Sequence, residues 1–526
     1  MQAHSPFAIR VSRVIPLFIV ILLVTLFATR SKSQDVASRA QWSIMGQDLT
    51  NSRNQAAEQK ISTANAASLQ VKWQFTTGGD VSATPTVSAD AVYFPDWFGN
   101  LFAVNRDTGW PIWSHNIADY NDFPGSLSRV SPAIHGGDII IGDTKAVDRP
   151  HRGGANVMAV NRATGALRWI REVDSHPASI ITGSPVVMND VVYVGISSSE
   201  ETLAVQSDYP CCSFRGSVVA LNANDGTILW KTYDMPDNHG ASDGYSGGAI
   251  WQPPAIDAAR GLLYVGTGNN YEVPDSVKSC LASVNNTQTS CFAADDYFDS
   301  ALALDLQTGK VKWSRRLQGL DVWTVACGKN PTPVSCPLPS SPDFDLSGSG
   351  PNLLPNMVGF GQKSGLYWAL NPDTGDILWS RMVGPGATLG GIEWGTASDG
   401  QRIYVAITNA GHLPYPLMDG TTITWGAWSA LDAATGKMVW QTADPAKGLA
   451  MGSVSVANGV LYAPSMSGNM HALDAGTGRI LWTFASGGSV VDGPSIADGM
   501  VFWGSGYKKS GNGKTNNKVF AFTVPQ

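Results

Sequence analysis

Apolar residues along this chain fall in short alternating runs, each cut off by a polar turn, and the cut has a fixed form. An eleven-residue phrase returns seven times, as AVNRDTGWPIW, AVNRATGALRW, ALNANDGTILW, ALDLQTGKVKW, ALNPDTGDILW, ALDAATGKMVW and ALDAGTGRILW, closing at Trp113, Trp169, Trp230, Trp313, Trp379, Trp440 and Trp482. The apolar residues before the Asn or Asp predict one strand, and those after the Gly predict its antiparallel neighbour. Between them, Asn105, Asn161, Asn222, Asp305, Asn371, Asp432 and Asp474 can accept hydrogen bonds from the turn amides. Gly109 and its equivalents supply the positive φ that such a turn needs.

Each phrase is therefore a hairpin, and β-rich stretches before it, such as GVLYAPSM and VVYVGIS, supply two further strands. A four-stranded sheet repeated with a large aromatic at the same place is a propeller blade, the Trp filling the wedge between neighbours. Seven phrases leave two orphans. KVFAFTVPQ at the C-terminus lacks a Trp partner, and LQVKWQF near the start carries Trp73 alone. Joining them predicts an all-β, eight-bladed ring whose last blade is closed by the N- and C-terminal strands, which also removes two sheet edges.

Length alone would suggest several domains, but the repeat spans almost all of the 526 residues, so one ring over 34–526 is the simpler organisation. The net charge of −7 and the low charged fraction predict no nucleic-acid surface. Residues 1–33 read as a secretory signal: Arg10 and Arg13 precede an apolar run from Val14 to Ala28, with Ser31 and Ser33 before Gln34. That run is short against the about 20 residues of a membrane span, and an uncleaved anchor is the other reading, the one case in which a membrane enters. Either way the ring is exported.

Export gives the cysteines a meaning. All six lie between Cys211 and Cys336, and local disulfides Cys280 with Cys291 and Cys327 with Cys336 are expected as loop staples. The adjacent Cys211 and Cys212 form a third pair. No C-x-x-C-H is present, so no covalent haem is expected.

The chain resembles the quinoprotein alcohol dehydrogenases, and within them the polyvinyl alcohol dehydrogenases. The likeness runs from WSIMGQDLTNSRNQ through every Trp phrase and is most specific in YPCCSFRGSVVALN, IWQPPAIDAARGLLYVGTGNNY and LDVWTVACG. It implies pyrroloquinoline quinone (PQQ) and calcium held on the ring axis. By the same resemblance, Glu200, with Glu201 as a neighbour easily mistaken for it, Asn269 and Asp321 are the metal ligands, and Asp321 is also the catalytic base. Thr324 stands where the family's D-x-W-D segment has a second aspartate, so that aspartate's role does not carry over.

Trp251 matches the Trp that stacks on the quinone, and it lies outside the repeated phrase. Lys363 and Arg129 match cationic contacts, and Thr182 and Ser197 match hydroxyl contacts. Cys211 and Cys212 sit in a different place from the methanol dehydrogenase pair but could still reach the quinone, with Arg215 beside them. The function implied is periplasmic oxidation of an alcohol, secondary or polymeric, by hydride transfer to calcium-bound PQQ, with electrons passed to a separate cytochrome c. A non-catalytic scaffold of outer-membrane protein assembly shares the Trp phrase and export, and a quinoprotein sugar dehydrogenase differs only in substrate.

Overall fold

A computed structural model describes residues 39–144, 154–283, 289–329, 336–338, 342–509 and 513–525. The expected secretory signal, 1–33, lies outside them. Eight antiparallel sheets, seven of four strands and the third of five, follow one another around a ring, and seven are built in simple chain order. Blade 1, for example, is Thr86–Val87, Ala91–Pro95, Asn100–Asn105 and Pro111–Asn116, from the axis outwards. Blade 8 takes Ser495–Ala497, Met500–Ser505 and Lys518–Thr523 from the end of the chain and its outermost strand, Gln70–Thr76, from the beginning. Trp73 stands opposite Ala521 in that seam. The expected closure by the two ends is what the chain does.

The repeated phrase works at the joint between blades. Each closing Trp donates its indole N–H to a main-chain carbonyl of the next blade's turn at 2.9 to 3.2 Å, from Trp113 to Arg162 through Trp440 to Ala475. Trp482 donates to Leu69 and Trp73 to Arg106, which carries the series across the seam. The turn Gly is needed twice over. Gly478 has φ 75°, and a Cβ added there would lie 2.5 Å from the Trp440 ring.

The axial channel is filled on one side by the segment 42–58. Its main chain bonds to the innermost strand of blade 1 at Val87, blade 2 at Ile134, blade 4 at Ile256, blade 5 at Leu353, blade 6 at Ser398 and blade 7 at Val456. The Gln55 side chain reaches Ile496 of blade 8, and Met45 meets Ser184 at the edge of blade 3. Arg53, fully buried, bonds to Val454, Met45 and Thr84. The motif WSIMGQDLTNSRNQ is thus a plug touching all eight blades.

The strand order fixes where function can sit. The hairpin turns of the phrase leave one end of the ring, while the loops from second to third strand, and from each outermost strand to the next blade, leave the other. Three of these, 199–216, 267–299 and 317–351, carry all three disulfides, Cys211–Cys212, Cys280–Cys291 and Cys327–Cys336.

The Trp joint is tested by comparing two tryptophans. Trp440→Ala, which removes a buried indole, should cost about 3–5 kcal/mol. Trp110→Ala, at a ring position that is 73% exposed, should change stability by no more than about 0.5 kcal/mol. Equal denaturation midpoints for the two variants would remove the joint from the account of stability.

Candidate active site

The loops at the second end meet over the axis around a cavity of about 640 Å³. Its lining comes from blades on every side, beginning with Arg129 between blades 1 and 2 and ending with Tyr507 and Lys509 in blade 8. Five of the expected quinone contacts, Arg129, Thr182, Ser197, Trp251 and Lys363, lie in this lining.

Trp251 forms a flat wall. Its ring meets Trp394 edge-on at 5.9 Å between centroids, and the Lys363 ammonium stands 5.6 Å above it. Arg129 sits among aromatic faces, 4.6 Å from the Trp394 centroid, 5.5 Å from Trp97 and 5.9 Å from Tyr507. The Thr182 hydroxyl is buried beside this group without a hydrogen-bond partner.

Beside this aromatic group the lining is acidic. Lys363 is buried between Asp343 at 2.9 Å and Asp345 at 2.6 Å, and Glu201 and Glu393 complete the carboxylate side of the lining. Burial, offset in part by Lys363 and reinforced by Asp343 and Asp345, raises the Glu201 carboxyl and pushes Glu393 up to about 8. Although burial alone would lower it, Lys363 is held well above its usual range by the surrounding acids. One ammonium faces four carboxylates, and the buried Asp343 Oδ2 and Glu393 Oε1 have no partner.

Asn269 and Asp321 stand one layer behind the lining. The Asn269 amide N–H donates to Asp345 at 2.8 Å, and its side chain donates to the carbonyl of Trp323, a lining residue, at 2.7 Å. Asp321 is fully buried, with Oδ2 fixed by the Phe344 N–H at 2.6 Å and Oδ1 unpartnered. Burial first, then the charge of Asp299, holds its carboxyl well above the ordinary range.

Six expected site residues thus stand outside the lining, and besides Asn269 and Asp321 the other four are engaged elsewhere. Glu200 turns away from the cavity: its oxygens accept from Tyr209 at 3.0 Å, Ser213 N–H at 2.9 Å and Phe214 N–H at 2.8 Å, so it anchors the cysteine loop. It opens the short helix Glu200–Leu203, where successive side chains point about 100° apart, so Glu201 faces the cavity instead. Cys211 and Cys212 are buried in the apolar core with Phe214 and are not in the lining. Arg215 is also outside it, stacked 3.9 Å over Tyr233 and paired with Asp237 at 3.0 Å.

Sequence reasoning passed over Asp343, Asp345, Glu393 and Trp394. The signals were present: SPDFDLS places two acids two apart, and GGIEWGT carries a Trp outside the repeated phrase, as Trp251 is.

The residues fit both implied groups. A flat polyacid finds the Trp251 face, the cations Arg129 and Lys363 and the orphaned Thr182 hydroxyl. A hard cation finds crowded carboxylate oxygens short of positive charge.

Comparison with known proteins places the chain in a family. A family model described as the glucose/ethanol/alcohol dehydrogenase beta-propeller domain matches residues 170–341, the stretch holding Thr182, Glu201, Trp251, Asn269 and Asp321. A model for the outer membrane protein assembly factor BamB matches 51–210 and 426–522, outside most of that stretch. The crystal structure of quinohemoprotein alcohol dehydrogenase from Comamonas testosteroni superposes with a TM-score of 0.69 at 18% identity, over 92% of this chain and 80% of that one, which speaks to fold. Polyvinylalcohol dehydrogenase of a Pseudomonas sp is 31% identical over 93% of this chain and 78% of its own length. The Sphingopyxis sp. (strain 113P3) enzyme of the same name is 32% identical over 93% and 77%. At that identity, over nearly the whole ring and its site, the chain belongs to the PQQ-dependent alcohol dehydrogenases, in the family of the polyvinyl alcohol dehydrogenases.

Proposed function

We propose that this protein oxidises the secondary hydroxyls of polyvinyl alcohol or a similar alcohol at the axial cavity, using PQQ and calcium, after export to the periplasm, and passes electrons to a separate cytochrome c. The observation that carries this reading is the pairing, within one cavity, of an aromatic and cationic wall with a wall of under-neutralised carboxylates. When bound, PQQ with calcium supplies the two-electron acceptor that no side chain can provide.

The chain's own residues do the rest. Trp251 supports one face of the quinone, Arg129 and Lys363 meet its acid groups, and Thr182 and Ser197 donate at its edge. Glu201, with Asn269 and Asp321 behind it, holds the metal. Asp321 is the base that takes the hydroxyl proton at Oδ1, a step that needs the hydroxyl to reach past the lining, as the carbon–hydrogen bond gives up its hydride to that acceptor. Its raised proton affinity makes it a strong base once neighbouring positive charge lets it ionise. The aromatic cluster of Trp97, Trp394 and Tyr507 beside Arg129 excludes water and offers apolar surface to a hydrocarbon backbone.

Reconstitution is the direct test. Cofactor-free protein should reduce a dye with polyvinyl alcohol only after both PQQ and calcium are added. Oxidation with either alone, or with a nicotinamide cofactor, would end the assignment.

Two substitutions separate chemistry from binding. Asp321→Asn should keep PQQ bound while turnover falls by about 10²- to 10⁴-fold. Trp251→Ala should instead lose PQQ, because the stacking face is gone. Turnover near the parent value in PQQ-loaded Asp321→Asn would place the base elsewhere.

Metal affinity distinguishes the neighbouring glutamates and carries a pH signature. Glu201→Gln should weaken calcium binding, whereas Glu200→Gln should leave it and cost about 1–3 kcal/mol of stability through lost hydrogen bonds to a buried carboxylate. Because Glu201 and Glu393 hold protons up to about pH 8, calcium must displace them. Calcium affinity of the cofactor-free chain should rise from pH 6 and level off above pH 8. A flat calorimetric profile over that range would remove these acids from the metal site.

A further inference from the structure

A second set of buried oxygens lies where the 267–299 loop of blade 4 meets the rim of blade 3, away from the cavity lining. Asp234 directly follows the outermost strand of blade 3, Ile228–Tyr233, and is 1% exposed. Among the described residues, neither of its carboxylate oxygens has a partner. Two glycines make the room it occupies: a Cβ at Gly216 would lie 2.6 Å from Oδ2, and one at Gly248 would lie 2.5 Å from Oδ1.

Across from it stands Asp296, fully buried, with Oδ1 unpartnered and Oδ2 accepting from the Asn270 amide at 2.9 Å. Asn270 is also fully buried, and its own Oδ1 has no partner. The Tyr297 N–H donates to the Asp234 carbonyl at 2.8 Å, which locks the two segments side by side.

The nearby guanidinium groups are engaged elsewhere. Arg215 stacks on Tyr233 and pairs with Asp237, while Arg316 rests 4.2 Å from the Phe298 ring centre and donates to the main-chain carbonyl of Asp296. Burial, and then the charge of Asp296, holds the Asp234 carboxyl well above its usual range, and burial pushes Asp296 up to about 7. Two acids and an amide oxygen thus lie buried close together, with the Arg316 and Arg215 guanidinium groups offsetting their charge only in part, and orphaned oxygens there are costly.

We propose that Asp234, Asp296 and Asn270 bind a second divalent cation, tying the disulfide-braced loop of blade 4 to the rim of blade 3. All three donors are oxygens on irregular loops and strand ends, which suits calcium, a cation that accepts a flexible shell of oxygen ligands. Half a turn of the Asn270 amide exchanges its nitrogen for its oxygen beside Asp296, so the ligand set forms without moving the main chain. The cation bridges two blades that the Trp joint links only at their outer strands. None of its three residues lines the cavity, although the Asn270 main chain borders Asn269 and donates to the Asp321 carbonyl.

The test uses the full chain stripped with a chelator, titrated with calcium by calorimetry and assayed by elemental analysis. The wild type should take up two equivalents. Asp234→Asn and Asp296→Asn should each remove one, together with part of the calcium-dependent rise in melting temperature, while Glu201→Gln removes the other. A wild-type stoichiometry of one that Glu201→Gln abolishes would overturn the proposal, as would Asp234→Asn retaining both equivalents. Should the asparagine variants fail to fold, proteolysis of the wild-type 267–299 loop with and without calcium decides. Protection by calcium that survives in Glu201→Gln supports the site, and identical cleavage in both conditions refutes it. Because metal uptake is read without substrate, failure here is distinct from failure of the alcohol oxidation.

Discussion

The indole N–H that each closing tryptophan gives to the next blade's turn is the bond on which the ring depends. It is directional, it is made eight times, and it fixes both the spacing and the tilt of neighbouring sheets. A buried turn carbonyl would otherwise be unpaired at every joint. Because the same bond crosses the seam between the chain ends, the ring has no weak sector, and the loops at its open end converge on one axis. The cavity is a consequence of that convergence, since no single blade supplies more than a fraction of its wall.

Within the cavity, charge is arranged so that the protein alone is left unbalanced. Lys363 is committed to Asp343 and Asp345, and Glu201 and Glu393 are raised for want of further positive charge. Such a site is expensive to keep ionised and becomes favourable when a cation enters. The wall carrying Trp251 and Arg129 has the opposite character, apolar faces with a cation held against them. The two groups of residues meet at Lys363, which touches Asp343 and Asp345 and stands over the Trp251 ring.

The architecture was legible because its signal is repeated: the Trp phrases, their turn residues and the orphan strand at Trp73 all stand where the sequence puts them. The site was legible only where a residue departs from the repeat. Trp251 could be recognised because it breaks the phrase, and Arg129 and Lys363 because they stand in loops that resemble those of the family. Which of Glu200 and Glu201 faces the cavity was not legible, since it turns on the rotation of one short helix and on the amides of Ser213 and Phe214 that capture Glu200. Asp343, Asp345 and Glu393 were missed for a related reason: acids scattered over two loops are brought together only by the closed ring. The adjacent cysteines suggested chemistry, but the loop that Glu200 anchors carries them into the apolar core.

The plug and the seam place an unusual demand on how the ring is assembled. Gln55 bonds to a residue 441 positions away, and Arg39 to one 459 positions away. Strand Gln70–Thr76 has no partner in its own half of the chain, since all of its pairing is with Lys518–Thr523. Contacts of such sequence separation form late, because loop closure must precede any gain from them. During synthesis and refolding the earliest-made segment therefore waits with an open strand edge and an empty channel until the last strand arrives, an interval in which association with other chains competes. The yield of the native ring is set by how long that interval lasts, so loss of the few residues around Lys518–Thr523 would cost the molecule far more than one strand's share of its stability.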